Sequence, residues 1–178
     1  MILLGVTGGI AAYKACDIVS TLKKETEVQV IMTASATKFV TPLTFQVLST
    51  NKVYTDMFDE HIPSQINHID LGKKAKVFVI VPGSATTIAR IANGLADDML
   101  SAIALALPKH VKKLIAPAMN VEMFTKEITQ RNLKTLEEFG YKIIPPREKL
   151  LACGDIGMGA LAKNEVIIDE IRNSYREH

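Results

Sequence analysis

Three side chains in this sequence stand out as able to do chemistry. His68 lies in QINHIDLG (65–72), just ahead of an apolar run, and Asn120 lies in PAMNVEMF (117–124), directly after another. Cys153 lies in LLACGDIGMGALA (150–162), among closely spaced glycines. Each has a plain structural reading: a packed or solvated imidazole, a helix cap, an incidental loop thiol. Each also has a chemical one. Imidazole moves protons near neutrality, a primary amide can donate to a carboxylate, and an accessible thiol can serve as proton donor or nucleophile. The other candidates read as structural. His61, with Asp56, Asp59 and Glu60 nearby, lacks the i, i+3 or i, i+4 spacing of metal ligands, so no metal site is expected. Cys16 falls on an apolar helix face with Ala12 and Val19 and reads as an inert core thiol. Asp97 and Asp98 read as a charged helix start after Gly94.

Residues this far apart in sequence cooperate only if the fold gathers them. Short apolar runs at 1–7, 27–33, 76–82, 112–117 and 141–146 read as strands buried on both faces. Between them lie helical patterns: 10–24; a stretch capped by Ser35 and running through Leu48, with Pro42 near a first turn; 84–107, broken at Asn93-Gly94; and 121–138, stopped at Gly140. A last helix is expected at 163–175, and the glycine-rich segment 150–162 reads as a mobile loop. Strands alternating with helices predict an α/β fold, Rossmann-like or flavodoxin-like, with an open, mostly parallel sheet and helices on both faces. Such sheets bind ligands at the carboxyl ends of their strands.

Those ends carry small, hydroxyl or amide residues. Gly8-Gly9-Ile10 forms a strand-to-helix turn whose unpaired amides favour an anion, although its spacing is not that of a dinucleotide fingerprint. Thr33, Ala34 and Ser35 stand where an NAD site would carry an acid for the ribose. Ser84, Thr86 and Thr87 open the third such turn, each open to a reading as a mere cap. Together they favour a mononucleotide.

Composition narrows the class. At 178 residues the chain has the length of one domain, expected to span 1–178. A net charge of +2 and 6% aromatic residues argue against a nucleic-acid binder. With 48% apolar and 22% charged residues the chain can bury a core without disulfides. No apolar run reaches the roughly 18 residues of a membrane span, and the first residues lack a signal peptide's basic region. Two cysteines fit free thiols in a reducing compartment, so a cytoplasmic protein is expected, with no membrane or nucleic-acid partner.

These motifs together carry a resemblance. TGGIAAYK (7–14), NHIDLGKKA (67–75), PGSATT (82–87), PAMNVEMF and ACGDIGMG (152–159) resemble the flavin-dependent cysteine decarboxylases over nearly the whole chain. The cysteine of the last motif resembles that of the substrate clamp on the pantothenate branch, here about 147–162. The resemblance implies FMN as cofactor, held by Gly8, Gly9, Ile10, Thr33, Ser35, Ser84, Ala85, Thr86, Thr87 and Ala118. It implies 4'-phosphopantothenoylcysteine as substrate, met by Met119, Asn120, Leu150, Ala152 and Cys153, and 4'-phosphopantetheine as product of a coenzyme A step. His68 would act as base, Asn120 would fix the carboxylate, and Cys153 would return the last proton, by way of thioaldehyde and enethiol intermediates. It also implies a homo-oligomer, a trimer or an assembly of trimers, with Asn120 beside a neighbouring chain's flavin. Three positions depart from the family pattern: PGSATT has Gly83 for alanine and Thr86 for asparagine, and Phe124 replaces tryptophan. The rival readings are a peptidyl-cysteine decarboxylase, which would release the enethiol, and an FMN-binding regulatory subunit.

Overall fold

Strand β1 (Ile2–Val6) alternates its side chains between the two faces of a sheet, and so sorts the core into two layers. Ile2, Leu4 and Val6 pack with one apolar cluster, while Leu3 packs with the other. β3 (Val77–Gly83) divides in the same way, with Val77, Val79 and Val81 on the first face and Phe78 and Ile80 on the second. With β2 (Val28–Met32), β4 (Lys112–Pro117) and β5 (Tyr141–Ile143) they form a parallel sheet in the order β2-β1-β3-β4-β5. This is the doubly wound order whose chain reversal lies between β1 and β3. The structure is a computed structural model, and it describes residues 1–58, 67–150 and 156–177.

One face is covered by α1 (Lys14–Leu22), α2 (Pro42–Ser49) and α8 (Asn164–Arg176). In α1, Ala15, Ile18, Val19 and Leu22 are buried at the spacing that lines one side of a helix. The other face carries α3 (Asn67–Lys74), α4 (Ala85–Ala92), α5 (Met99–Ala106) and α7 (Glu127–Glu138). α5 presses so closely on the sheet that a Cβ on Gly5 would lie 2.4 Å from Leu100 Cδ1. Asp98 caps α5 in a reciprocal box with Ser101, and Arg90 pairs with Asp97 at 3.0 Å and Asp98 at 3.2 Å. The two aspartates therefore do start a helix.

Three expectations need correction, and one helix stands where none is expected. The helix expected from Ser35 is two pieces, a 3-10 turn at Ala36–Lys38 and then α2 with Pro42 in its first turn. Ser35 makes no capping bond. Proline lacks the N–H and clashes with the preceding turn, so the helix has to restart there. The helix expected at 121–138 is divided into α6 (Val121–Thr125) and α7 by the extended backbone of Lys126. The approach to the third strand holds α3, too short and polar for its pattern to stand out. Finally, the described part of 150–162 is not a structureless loop: β6 (Arg147–Leu150) and β7 (Ile156–Ala160) pair antiparallel.

Candidate functional site

The turns after β1, β2 and β3 are fastened to one another. A Cβ on Gly8 would lie 2.4 Å from Ser35 Cβ and 3.0 Å from its carbonyl carbon, so only glycine lets the first turn rest on the second. Thr33 N–H donates to the Val6 carbonyl at 3.0 Å. The Thr7 hydroxyl donates to the Pro82 carbonyl at 2.6 Å and accepts from Ser84 N–H at 2.9 Å, joining the first turn to the third. Ser84 then caps α4, its hydroxyl oxygen accepting from Thr87 N–H at 3.3 Å. Gly83, in place of the family's alanine, has a local reason: a Cβ there would lie 2.7 Å from Ile115 Cγ1.

A cleft of about 540 Å³ opens over these turns. Gly8, Gly9, Ile10, Ser84, Ala85, Thr86, Ala118, Met119 and Asn120 all line it. Asn120 also caps α6, its Oδ1 accepting from Glu122 N–H at 2.8 Å. The cap commits the carbonyl end of the amide, so the group Asn120 can present to a carboxylate is the Nδ2 donor. The structural and chemical readings of this residue are thus compatible. Asn120 stands in a cleft built by its own chain's turns.

The β6–β7 hairpin closes one side of the cleft with Gly159, Ala160 and Leu161. Met119 N–H donates to the Gly159 carbonyl at 2.9 Å. Two glycines make the contact possible: a Cβ on Gly159 would lie 2.3 Å from the Met119 carbonyl oxygen, and one on Gly157 would lie 2.6 Å from Val121 Cγ2. Gly159 also has φ of 152°, where a side chain is strained. Gly159→Ala is therefore expected to push the hairpin off Met119 and raise KM for a substrate bound in this cleft. Unchanged steady-state kinetics would contradict this role for the hairpin.

Several expected site residues fall elsewhere. Thr33 is buried, with its hydroxyl accepting from Ala36 N–H at 3.3 Å. Thr87 is also buried and takes a hydrogen bond from the Ser84 hydroxyl at 3.2 Å. Neither lines the cleft, and nor does Ser35, which supports Gly8 from beside it. The Thr33 and Thr87 hydroxyls shape the turns. His68 lies on α3, which packs against α5, and is not among the residues lining the cleft. Leu150 ends β6, while Ala152 and Cys153 lie outside the described residues. Cys16 is half-buried against the first core layer, and burial pushes its thiol above the ordinary range, as an inert thiol requires.

Tyr13, Lys14 and Met123 also line the cleft and were not singled out in the sequence. The signal was there for two of them, since Ile10, Tyr13 and Lys14 stand at i, i+3 and i+4 on one helical face.

The cleft suits a flavin mononucleotide. Gly8 and Gly9 line the cleft and a Cβ on Gly9 would meet nothing within 4 Å, so a phosphate has room beside this turn. Ile10, Ala118, Met119 and Met123 offer apolar walls for a flat ring, and the volume lies in the range of cofactor pockets.

Comparison with known proteins agrees. The Flavoprotein family model matches residues 1–176. The chain is 50% identical over 171 residues to a "Probable phosphopantothenoylcysteine decarboxylase" of Streptococcus mutans, covering 96% of each chain. It is 46% identical to the "Coenzyme A biosynthesis bifunctional protein CoaBC" of Bacillus subtilis over 99% of this chain, but spans only 43% of that longer protein. A solved PPC decarboxylase mutant, complexed with pantothenoylaminoethenethiol, superposes with a TM-score of 0.88 at 33% identity, covering 98% of this chain and 97% of that one. "The FMN binding protein AtHal3" also superposes with a TM-score of 0.88, at 34% identity and 99% and 97% coverage. The chain belongs to the Flavoprotein family and, within it, to the flavin-dependent cysteine decarboxylases of the phosphopantothenoylcysteine branch.

Proposed function

We propose that this chain uses FMN to decarboxylate 4'-phosphopantothenoylcysteine to 4'-phosphopantetheine in coenzyme A biosynthesis. One observation carries the reading: the amide of Asn120 shares a single cleft with the anion-receptive turns after β1 and β3. A carboxylate-bearing substrate can thus be held beside a flavin.

Loss of CO2 from a cysteine carboxylate is slow because the electrons left behind have no acceptor. FMN held by the turns after β1 and β3 would supply a two-electron acceptor for the thiol-bearing carbon and a hydride for the later reduction, so the cycle would be redox-neutral and need no nicotinamide. The substrate passes through a thioaldehyde, whose C=S accepts the electrons released with CO2, and then an enethiol. Asn120 orients the carboxylate through Nδ2. A neutral donor holds this group without the strong preference a fixed cation would show for the charged ground state. His68 takes up the proton released on oxidation. Cys153 gives the proton that completes the saturated product.

His68 reaches the chemistry through assembly. Because it does not line its own chain's cleft, we assign the imidazole of each site to a neighbouring copy. An apolar surface supports association: Phe39, Leu43 and Val47 are 52%, 65% and 68% exposed, with Leu43 and Val47 one turn apart on α2. A trimer or an assembly of trimers meets the requirement. No helix among the described residues is long and apolar enough to cross a membrane.

The direct test is incubation of the FMN-loaded protein with 4'-phosphopantothenoylcysteine. Release of CO2 with phosphopantetheine by mass is the expected result. An enethiol as the wild-type end product would favour the peptidyl-cysteine reading, and flavin binding without CO2 release would favour a regulatory subunit.

A further inference from the structure

We propose that Thr7 is a positioning residue of the cofactor site: its hydroxyl locks the β3–α4 turn to the glycine turn, and so sets the spacing of two surfaces that receive FMN. The inference rests on FMN as the ligand of the cleft. Thr7 is fully buried and does not line the cleft, so it acts through its neighbours. The β1–β3 ladder pairs Ile2 with Val77 and continues to Gly5 with Ile80, where it ends. Beyond that point β3 shifts register against β4, between Ile80 and Gly83. The two chains diverge here toward their separate helices, and no backbone ladder holds them together.

The Thr7 side chain takes the ladder's place. It donates to Pro82 O at 2.6 Å and accepts from Ser84 N–H at 2.9 Å, across 75 and 77 residues of sequence. Both polar functions of the hydroxyl are used, and each satisfies a backbone group next to the site. On one side Thr7 is followed by Gly8 and Gly9, which line the cleft. On the other, Ser84 caps α4 and is followed by Ala85 and Thr86, which line it too. Removing the hydroxyl leaves a carbonyl and an N–H without partners at the foot of the cleft. The turn then has to move to satisfy them.

Thr7→Val keeps the shape and removes both bonds, whereas Thr7→Ser keeps both. FMN titration by flavin fluorescence, the visible absorption and circular dichroism of the bound flavin, and thermal unfolding of the apoprotein separate the alternatives. The expected result is a loss of FMN affinity on the order of 10-fold for Thr7→Val. An altered bound-flavin spectrum at saturation should accompany it, with both effects reversed in Thr7→Ser. Wild-type affinity and spectrum in Thr7→Val would overturn the proposal, even if the apoprotein melts earlier, since that result describes a purely structural hydroxyl. Should Thr7→Val yield no folded protein, Thr7→Ala carries the same test with the same two readouts. A wild-type protein that takes up no FMN would instead overturn the cofactor reading on which this one rests.

Discussion

Cys153→Ser is expected to release CO2 yet accumulate a product lighter than phosphopantetheine by two hydrogens, with its flavin left reduced in the absence of oxygen. In the proposed mechanism oxidation and decarboxylation draw on the cofactor, His68 and Asn120, so they should proceed without the thiol. The final step differs: hydride return needs a proton delivered to the enethiol. A thiol, with a reference pKa near ~8.5, can deliver it near neutrality, whereas an alcohol cannot. General acids at such steps contribute roughly 100-fold or more, so formation of the saturated product should fall by at least about that factor. Mass spectrometry of the product and the absorbance of the flavin give two independent readouts. If the serine variant forms phosphopantetheine at the wild-type rate, the thiol is incidental and another acid serves.

Two inactive variants should restore each other. His68→Asn removes the proposed proton acceptor, so added substrate should leave the flavin oxidised and release no CO2. Asn120→Asp replaces a donor with an anion beside the substrate carboxylate. Two charges about 4 Å apart at an effective dielectric of about 20 repel by about 4 kcal/mol, enough to displace or expel the substrate. Within one chain the cleft contains Asn120 and the cofactor turns, while His68 sits apart on α3. Co-expression of the two variants should therefore recover activity: a His68→Asn chain supplies an intact cleft and an Asn120→Asp chain supplies an intact imidazole. Chains mixed after separate purification, without subunit exchange, should stay inactive. A sedimentation profile showing a fully active monomer would sink the shared site.

Much of this architecture is legible in the sequence because the relevant forces are local. Runs such as KVFVIVP and KKLIAP are short and continuously apolar after their lysines, as a strand covered on both faces is, and both are strands of the parallel sheet. Asn93-Gly94 breaks α4 from α5, and Gly140, at φ of 83°, follows α7 as a glycine stop should. Where the pattern was short or mixed, the reading failed. The polar α3 and the glycine-rich β7 gain their stability from what they pack against, and their own residues advertise little of it.

The sequence by itself determined the chemistry available. It supplied glycines where amides must face an anion, hydroxyls where a ribose-binding acid is missing, and an amide directly after the fourth strand. Those are matters of residue type and strand order, and both are written in one dimension. Only the tertiary structure decided which groups meet. Thr33 turned inward to a backbone N–H and Thr87 to the Ser84 hydroxyl, Thr7 emerged as the tie between two turns, and Gly159 as the seat of the hairpin. The Thr7 and Gly159 contacts join segments tens of residues apart, where a polar group goes to whichever unpaired backbone group the packing leaves within reach.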